Sequence, residues 1–277
     1  MKDLGKRLLV AVWGIPLILG LSFLGGYYFL IFLLVINGMA LWEFYSIFQN
    51  KGYFPYRWWG LIGGELLLLG FYFLPASHLF PLLLLITLPI LFRHLRLSQP
   101  SSAVNTLMTL GGLFYISTFL GSLLLLRQNF AAWSKAPDHL NAGGWFMLVL
   151  WLSIWACDTF AYFGGLKFGK HKLAPNTSPN KTIEGAVFGF LGGVLVFAFL
   201  GKYWLPYLPT YLLLVSGFLV GTAGQLGDLI ESRFKRDAGV KDTSTLLPGH
   251  GGFYDRFDSL IFISPFLYLL FGFLGGH

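Results

Sequence analysis

Five acids fall near the ends of long apolar runs: Asp158, Asp228, Glu231, Asp255 and Asp258. An ionised carboxylate in an apolar span is unfavourable unless it faces a partner or a polar cavity, so such residues are the first candidates for function. Asp255 and Asp258 are three apart, and a helix carries both on one face. Asp228, Ser232 and Lys235 follow at intervals of four and three, which aligns a carboxylate, a hydroxyl and an ammonium in a row. Carboxylates gathered at one depth repel one another and invite a cation. An all-oxygen set without paired His or Cys fits Mg2+ better than zinc.

The polar connections beside these acids suit phosphate. Between Ser232 and Asp258, Lys235, Arg236, Lys241 and Arg256 supply positive charge, and Gly249, Gly251 and Gly252 allow backbone amides to approach an anion closely. His250, set between glycines, suits a phosphate donor or a turn residue. A second polar stretch, 169–185, brings Ser178, Lys181 and Thr182 to the start of a helix, where free amides and the dipole attract anions. Other readings compete at particular residues. Glu231 and Lys235 are spaced as a surface i,i+4 ion pair, Asp158 could simply partner a loop lysine, and Lys167, Lys170 and Lys172 fit topology alone. Glu43 and Glu65, alone in their spans, could snorkel to an interface and carry no assignment.

The elements that must position these groups follow from composition. Of 277 residues, 56% are hydrophobic and 11% charged, more apolar side chain than a water-soluble core of this size could hide. Apolar stretches exceed the roughly 18 to 20 residues needed to cross about 30 Å of hydrocarbon, and they lack the alternation of barrel strands. The expected fold is an all-α polytopic transmembrane bundle with helices near 8–25, 28–48, 58–75, 79–93, 104–126, 145–165, 183–200, 209–232 and 254–275. The fourth is marginal in length and could be re-entrant. Residues 1–144 form N-terminal helices, and 145–277 form the catalytic region with cytoplasmic loops 166–182 and 233–253. The outward connection, 127–144, is expected to have no chemistry.

Orientation comes from the basic residues. With the N-terminus cytoplasmic, sixteen of the 19 lie in inner segments, and Arg127, Lys135 and Lys202 lie outside. Lys2, Lys6 and Arg7 precede an apolar run with no small-x-small cleavage site, so the first helix reads as retained. The net charge of +7 is dispersed between spans, which disfavours nucleic acid and favours anionic lipid and phosphate. Cys157, the single cysteine, and the pairs Gly25-Gly26, Gly63-Gly64 and Gly192-Gly193 read as helix-packing residues.

The stretch from Ser232 to Asp258, S-x-F-K-R-x4-K-D-x-S-x2-L-P-x-H-G-G-F-x-D-R-F-D, resembles throughout the signature of the phosphatidate cytidylyltransferase family. The segments S-P-N-K-T-x-E-G (178–185) and D-T-x-A-Y (158–162) are similar to that family too. Before residue 150 the likeness is in hydrophobic architecture only. The resemblance implies that CTP and phosphatidic acid are joined into CDP-diacylglycerol and diphosphate on Mg2+ in a bacterial inner membrane, with the site facing the cytoplasm. It implies Asp228, Asp255 and Asp258 as metal ligands, with Ser232 and Lys235 close to substrate phosphates. It leaves K+ as a second cation and a homodimer open. Another CTP-using membrane enzyme, such as a polyprenol kinase or a CDP-archaeol synthase, would need a similar site. A secondary transporter also fits the span count, but the chain has no repeated halves and its charges lie at one face rather than at the midplane.

Overall fold

The computed structural model describes residues 2–96, 101–137, 140–244, 246 and 251–274, with side chains from Val12 to Phe273. In lipid each backbone N–H and C=O must be satisfied within its own segment, which drives apolar runs of this length into helices. Among the described residues nine continuous helices follow one another, one for each expected span. They are α1 (Lys2–Leu24), α2 (Gly26–Ile47), α3 (Arg57–Phe73), α4 (Ala76–Arg96), α5 (Ser102–Trp133), α6 (Ala142–Phe168), α7 (Ile183–Trp204), α8 (Thr210–Asp237) and α9 (Tyr254–Leu274). Seven are long and apolar enough to cross a membrane. The shorter two are α3, with 17 residues, and the apolar part of α1, Val12–Leu24. The protein is an all-α polytopic membrane bundle. The marginal fourth span is a full 21-residue helix, and little of its apolar surface is buried by the rest of the chain.

Two features differ from the expected outline. The outward connection 127–144 contracts to 134–141, because α5 and α6 extend into it. Arg127 lies in the extension, and its guanidinium donates to the Ser22 carbonyl (3.0 Å), the Phe23 carbonyl (2.7 Å) and Asn141 Oδ1 (2.8 Å). A cation at the carbonyl end of α1 offsets the helix dipole and supplies donors to carbonyls that the helix leaves unpaired. Asn141 in turn accepts from the Gly144 amide and caps α6. The second difference is in the 166–182 loop. There α6 runs to Phe168, and an antiparallel hairpin follows, β1 (Lys172–Ala174) with β2 (Ser178–Thr182), pairing Lys172 with Thr182 and Ala174 with Ser178.

The close crossing of α6 and α7 sets the site's depth. Gly185 and Gly189, one turn apart on α7, face Ala161 and Cys157 on α6. A Cβ at Gly189 would come within 2.9 Å of the Cys157 carbonyl oxygen, so only glycine lets the backbones approach this far. One apolar core runs through both the 1–144 and 145–277 regions, from Leu33 and Ile36 on α2 through Phe146 on α6 to Ile261 and Leu267 on α9. Within α8 the chain makes a π-turn, Val220–Gly224. The Gln225 side-chain amide donates to the Gly221 carbonyl (2.6 Å) in that turn and to the Ala186 carbonyl (3.0 Å), tying α8 to α7.

Candidate functional site

The polar end of the bundle is assembled from the last turns of α2, α6 and α8, the first turns of α7 and α9, and the hairpin. Thr182 ends β2 in extended backbone, and its hydroxyl accepts from the Gly185 amide as the cap of α7. Glu184 secures the base of the hairpin, accepting from the Lys170 amide (3.0 Å) and the His171 amide (3.2 Å) and contacting His171 Nδ1 at 2.6 Å. Lys181 is thereby held pointing inward, and its ammonium pairs with Asp228 on α8.

Three carboxylates converge beyond Lys181. Oxygens of Asp228, Glu231 and Asp258 all lie within 4.8 Å of one another. Asp258 is buried and accepts from the Ser259 amide, while Ser232 donates weakly to Asp228 at 3.4 Å. Glu231 is 1% exposed, and its Oε1 oxygen is buried without a hydrogen-bond donor among the described residues. Three carboxylates with an orphaned oxygen are short of positive charge, and this all-oxygen donor set fits a hard divalent cation.

Of the residues expected as metal ligands, Asp228 and Asp258 meet with Glu231 as the third carboxylate, and Asp255 lies beside Glu231 on the same cavity but is held by further donors. It takes Lys235 Nζ at 2.7 Å, the Gly252 amide at 2.8 Å, and the Thr243 hydroxyl and amide at 3.0 and 3.1 Å. Lys235 also contacts Glu231 at 2.7 Å, with only 11% of its side chain exposed. The Glu231–Lys235 pair is therefore buried and shared with Asp255, and is not the surface ion pair that its i,i+4 spacing suggests.

Two cavities meet at this cluster. The larger, about 710 Å3, runs between α6, the hairpin and the start of α7, and includes Tyr162, Leu166, Lys172, Lys181 and Gln225 in its lining. The smaller, about 320 Å3, is lined by Trp151 and Trp155 on one side and by Glu231, Lys235, Asp242, Asp255 and Asp258 on the other. Asp158, Asp228 and Arg256 line both. Thr182 lines the larger cavity, whereas Ser178 opens β2 opposite Ala174 and is not among its lining residues. Arg236 braces the hairpin by donating to the Thr177 carbonyl (3.1 Å), and Lys241 is exposed. His250 lies outside the described residues.

A family model described as the cytidylyltransferase family matches residues 5–274. The chain belongs to that family. The phosphatidate cytidylyltransferase of Bacillus subtilis is 34% identical to it over 292 residues, spanning 98% of both chains. That of Synechocystis sp. is 34% identical over 286 residues, 95% of this chain and 94% of the relative. That of Thermotoga maritima is 36% identical over 203 residues, 71% and 70% of the two chains.

Several members of this cytidylyltransferase's site escape motif spacing. Gln225 lines a cavity without any distinctive local pattern, and Asp242, although within the 232–258 signature, carried no assigned role. Asp158 lies on the wall common to both cavities, which spacing alone left undecided. Glu43 was detectable as a lone acid in an apolar span, but its partners lie some two hundred residues away. Glu65 does not snorkel either: it accepts from Asn37 (3.1 Å), which itself accepts from Ser117 (2.7 Å).

Proposed function

We propose that the chain joins CTP to phosphatidic acid, forming CDP-diacylglycerol and diphosphate, at the cytoplasmic face of a bacterial inner membrane. The observation that carries this reading is the meeting of Asp228, Glu231 and Asp258 where two cavities join, with Lys181, Lys172 and Arg256 among the lining. The names of the full-length relatives support the same acceptor and donor. Asp228, Glu231 and Asp258 would hold Mg2+, which when bound neutralises triphosphate charge and stabilises the departing diphosphate. K+ as a second cation and a homodimer extend the proposal on the family resemblance.

The acceptor's phosphate oxygen is anionic at neutral pH and is already a nucleophile. It attacks the α-phosphorus of CTP, the bond from that phosphorus to the bridging oxygen breaks, and diphosphate leaves with the electron pair. No general base is required, so the protein's contribution is alignment and charge. Lys181 and Arg256 line the larger cavity and supply positive charge to phosphate oxygens there. Lys235, held between Glu231 and Asp255, acts mainly by orienting the Glu231 carboxylate. The acyl chains remain in lipid, beside the exposed apolar faces of Tyr162 and Leu166.

The deciding experiment is transfer of radiolabel from CTP to a chloroform-soluble product by purified protein. Label that requires both phosphatidic acid and Mg2+, and disappears with EDTA, is the expected outcome. No lipid label, with phosphorylation of an added polyprenol instead, would replace this reading with a kinase.

A further inference from the structure

We infer that Glu43 on α2 is a positioning residue for the carboxylate cluster, acting through Thr243, Ser244, Phe253 and Tyr254. The inference rests on the cytidylyltransferase reading above. Glu43 is 1% exposed and contacts none of the three clustered carboxylates, yet both of its oxygens are fully used. Oε2 accepts from the Thr243 hydroxyl (2.8 Å) and the Tyr254 amide (2.8 Å). Oε1 accepts from the Ser244 hydroxyl (2.6 Å) and the Phe253 amide (3.0 Å). One side chain thus ties Thr243 and Ser244, within the connection that leads from α8 into α9, to the start of α9. The amides at the start of α9 have no partner within the helix, and an anion there also complements the dipole. Gly252 leaves room for the arrangement: a Cβ there would collide with Glu43 Oε2 and Thr243 Oγ1.

The contact continues toward the site. The Thr243 hydroxyl shares its one proton between Glu43 and Asp255, its amide also donates to Asp255 (3.1 Å), Asp255 pairs with Lys235, and Lys235 pairs with Glu231. Glu43 therefore fixes α9, and with it Asp258, as well as the ion pair that aims Glu231. Replacing Glu43 by Gln keeps shape and one acceptor oxygen but turns an NH2 toward one donor pair. A hydroxyl can rotate and accept from that NH2, but a backbone amide cannot, so the Phe253 or the Tyr254 N–H loses its acceptor in either orientation.

The test uses full-length enzyme in detergent with three variants, Glu43→Gln, Glu43→Asp and Thr243→Val. Glu43→Gln is expected to lower kcat roughly tenfold or more and raise the half-saturating Mg2+ concentration, with a much smaller change in KM for CTP. In protein without added Mg2+, amide exchange should accelerate at Phe253 and Tyr254 while α5 and α6 stay protected. Glu43→Asp, which keeps a charged acceptor, should recover part of the loss. Thr243→Val removes only the hydroxyl that connects Glu43 to Asp255, and should raise the Mg2+ requirement even if Glu43→Gln fails to fold. Wild-type Mg2+ dependence in Thr243→Val would overturn the relay. Wild-type kcat in Glu43→Gln, or loss of protection spread evenly over all helices, would overturn the positioning role. A wild-type protein inactive with CTP and phosphatidic acid would instead reject the cytidylyltransferase reading, and the exchange comparison would still judge Glu43.

Discussion

Asp228, Glu231, Asp258 and Asp255 look alike in sequence but occupy different electrostatic settings. The first three crowd within 4.8 Å of one another with ammonium partners at Asp228 and Glu231, whereas Asp255 has Lys235 and the amides of Gly252 and Thr243. Asp228→Asn and Asp258→Asn should therefore each lower kcat by roughly two orders of magnitude and raise the Mg2+ requirement, as expected when charge stabilisation of several kcal/mol is weakened. Near-normal turnover in both would refute the metal assignment. Asp255→Asn should behave differently. It leaves a largely buried ammonium with one charged partner, and breaking a buried pair costs about 3–5 kcal/mol. Its melting temperature in detergent should fall further than that of Asp258→Asn, with a smaller change in Mg2+ requirement. The reverse ranking would mean that Asp255 is the ligand and Glu231 the structural partner.

Among the elements, the crossing of α6 and α7 is the most constrained, because it holds Asp158 and the Lys181 hairpin at one depth. Gly189→Ala would press a methyl against the Cys157 carbonyl and the Ala161 side chain. Overpacking of this kind costs about 1–3 kcal/mol, and it should lower both thermal stability and turnover. Gly20→Ala on α1 meets nothing within 4 Å and should be neutral or slightly stabilising, since alanine is the better helix former. Equal effects from the two substitutions, measured by thermal unfolding in detergent, would show that the crossing is more compliant than the packing implies. The hairpin itself was not visible in 166–182. Its strands are three and five residues long, too short for an alternating pattern to register, and it is held by Glu184 and Arg236 rather than by a hydrophobic face.

The whole molecule has a polar end and an opposite end closed by Arg127. Among the described residues nine helices in alternation put the hairpin, the described part of the α8–α9 connection and the ends of α2 and α6 together, with the α5–α6 connection at the far side. If the site faces the cytoplasm, alkaline phosphatase fused within 134–141 should be active in cells, and a fusion in the 175–177 turn should be inactive. The opposite pattern would invert the proposed orientation.

The helical class and the placing of the helices were legible because burial in lipid demands long, locally self-satisfied apolar segments, and that demand is written into contiguous residues. The 232–258 motif was legible for a related reason: its charges and glycines are close in sequence. Helix spacing correctly put Asp228 and Ser232 side by side, and put Glu231 beside Lys235. It could not say that Asp255 turns toward Lys235 while Asp258 turns toward Asp228, because that choice depends on the angle at which α9 meets α8. Nor could it connect Glu43 with Thr243 or Arg127 with α1. A hydrogen bond or ion pair depends on distances of a few ångströms, and between residues far apart in the chain only the packing of helices sets those distances.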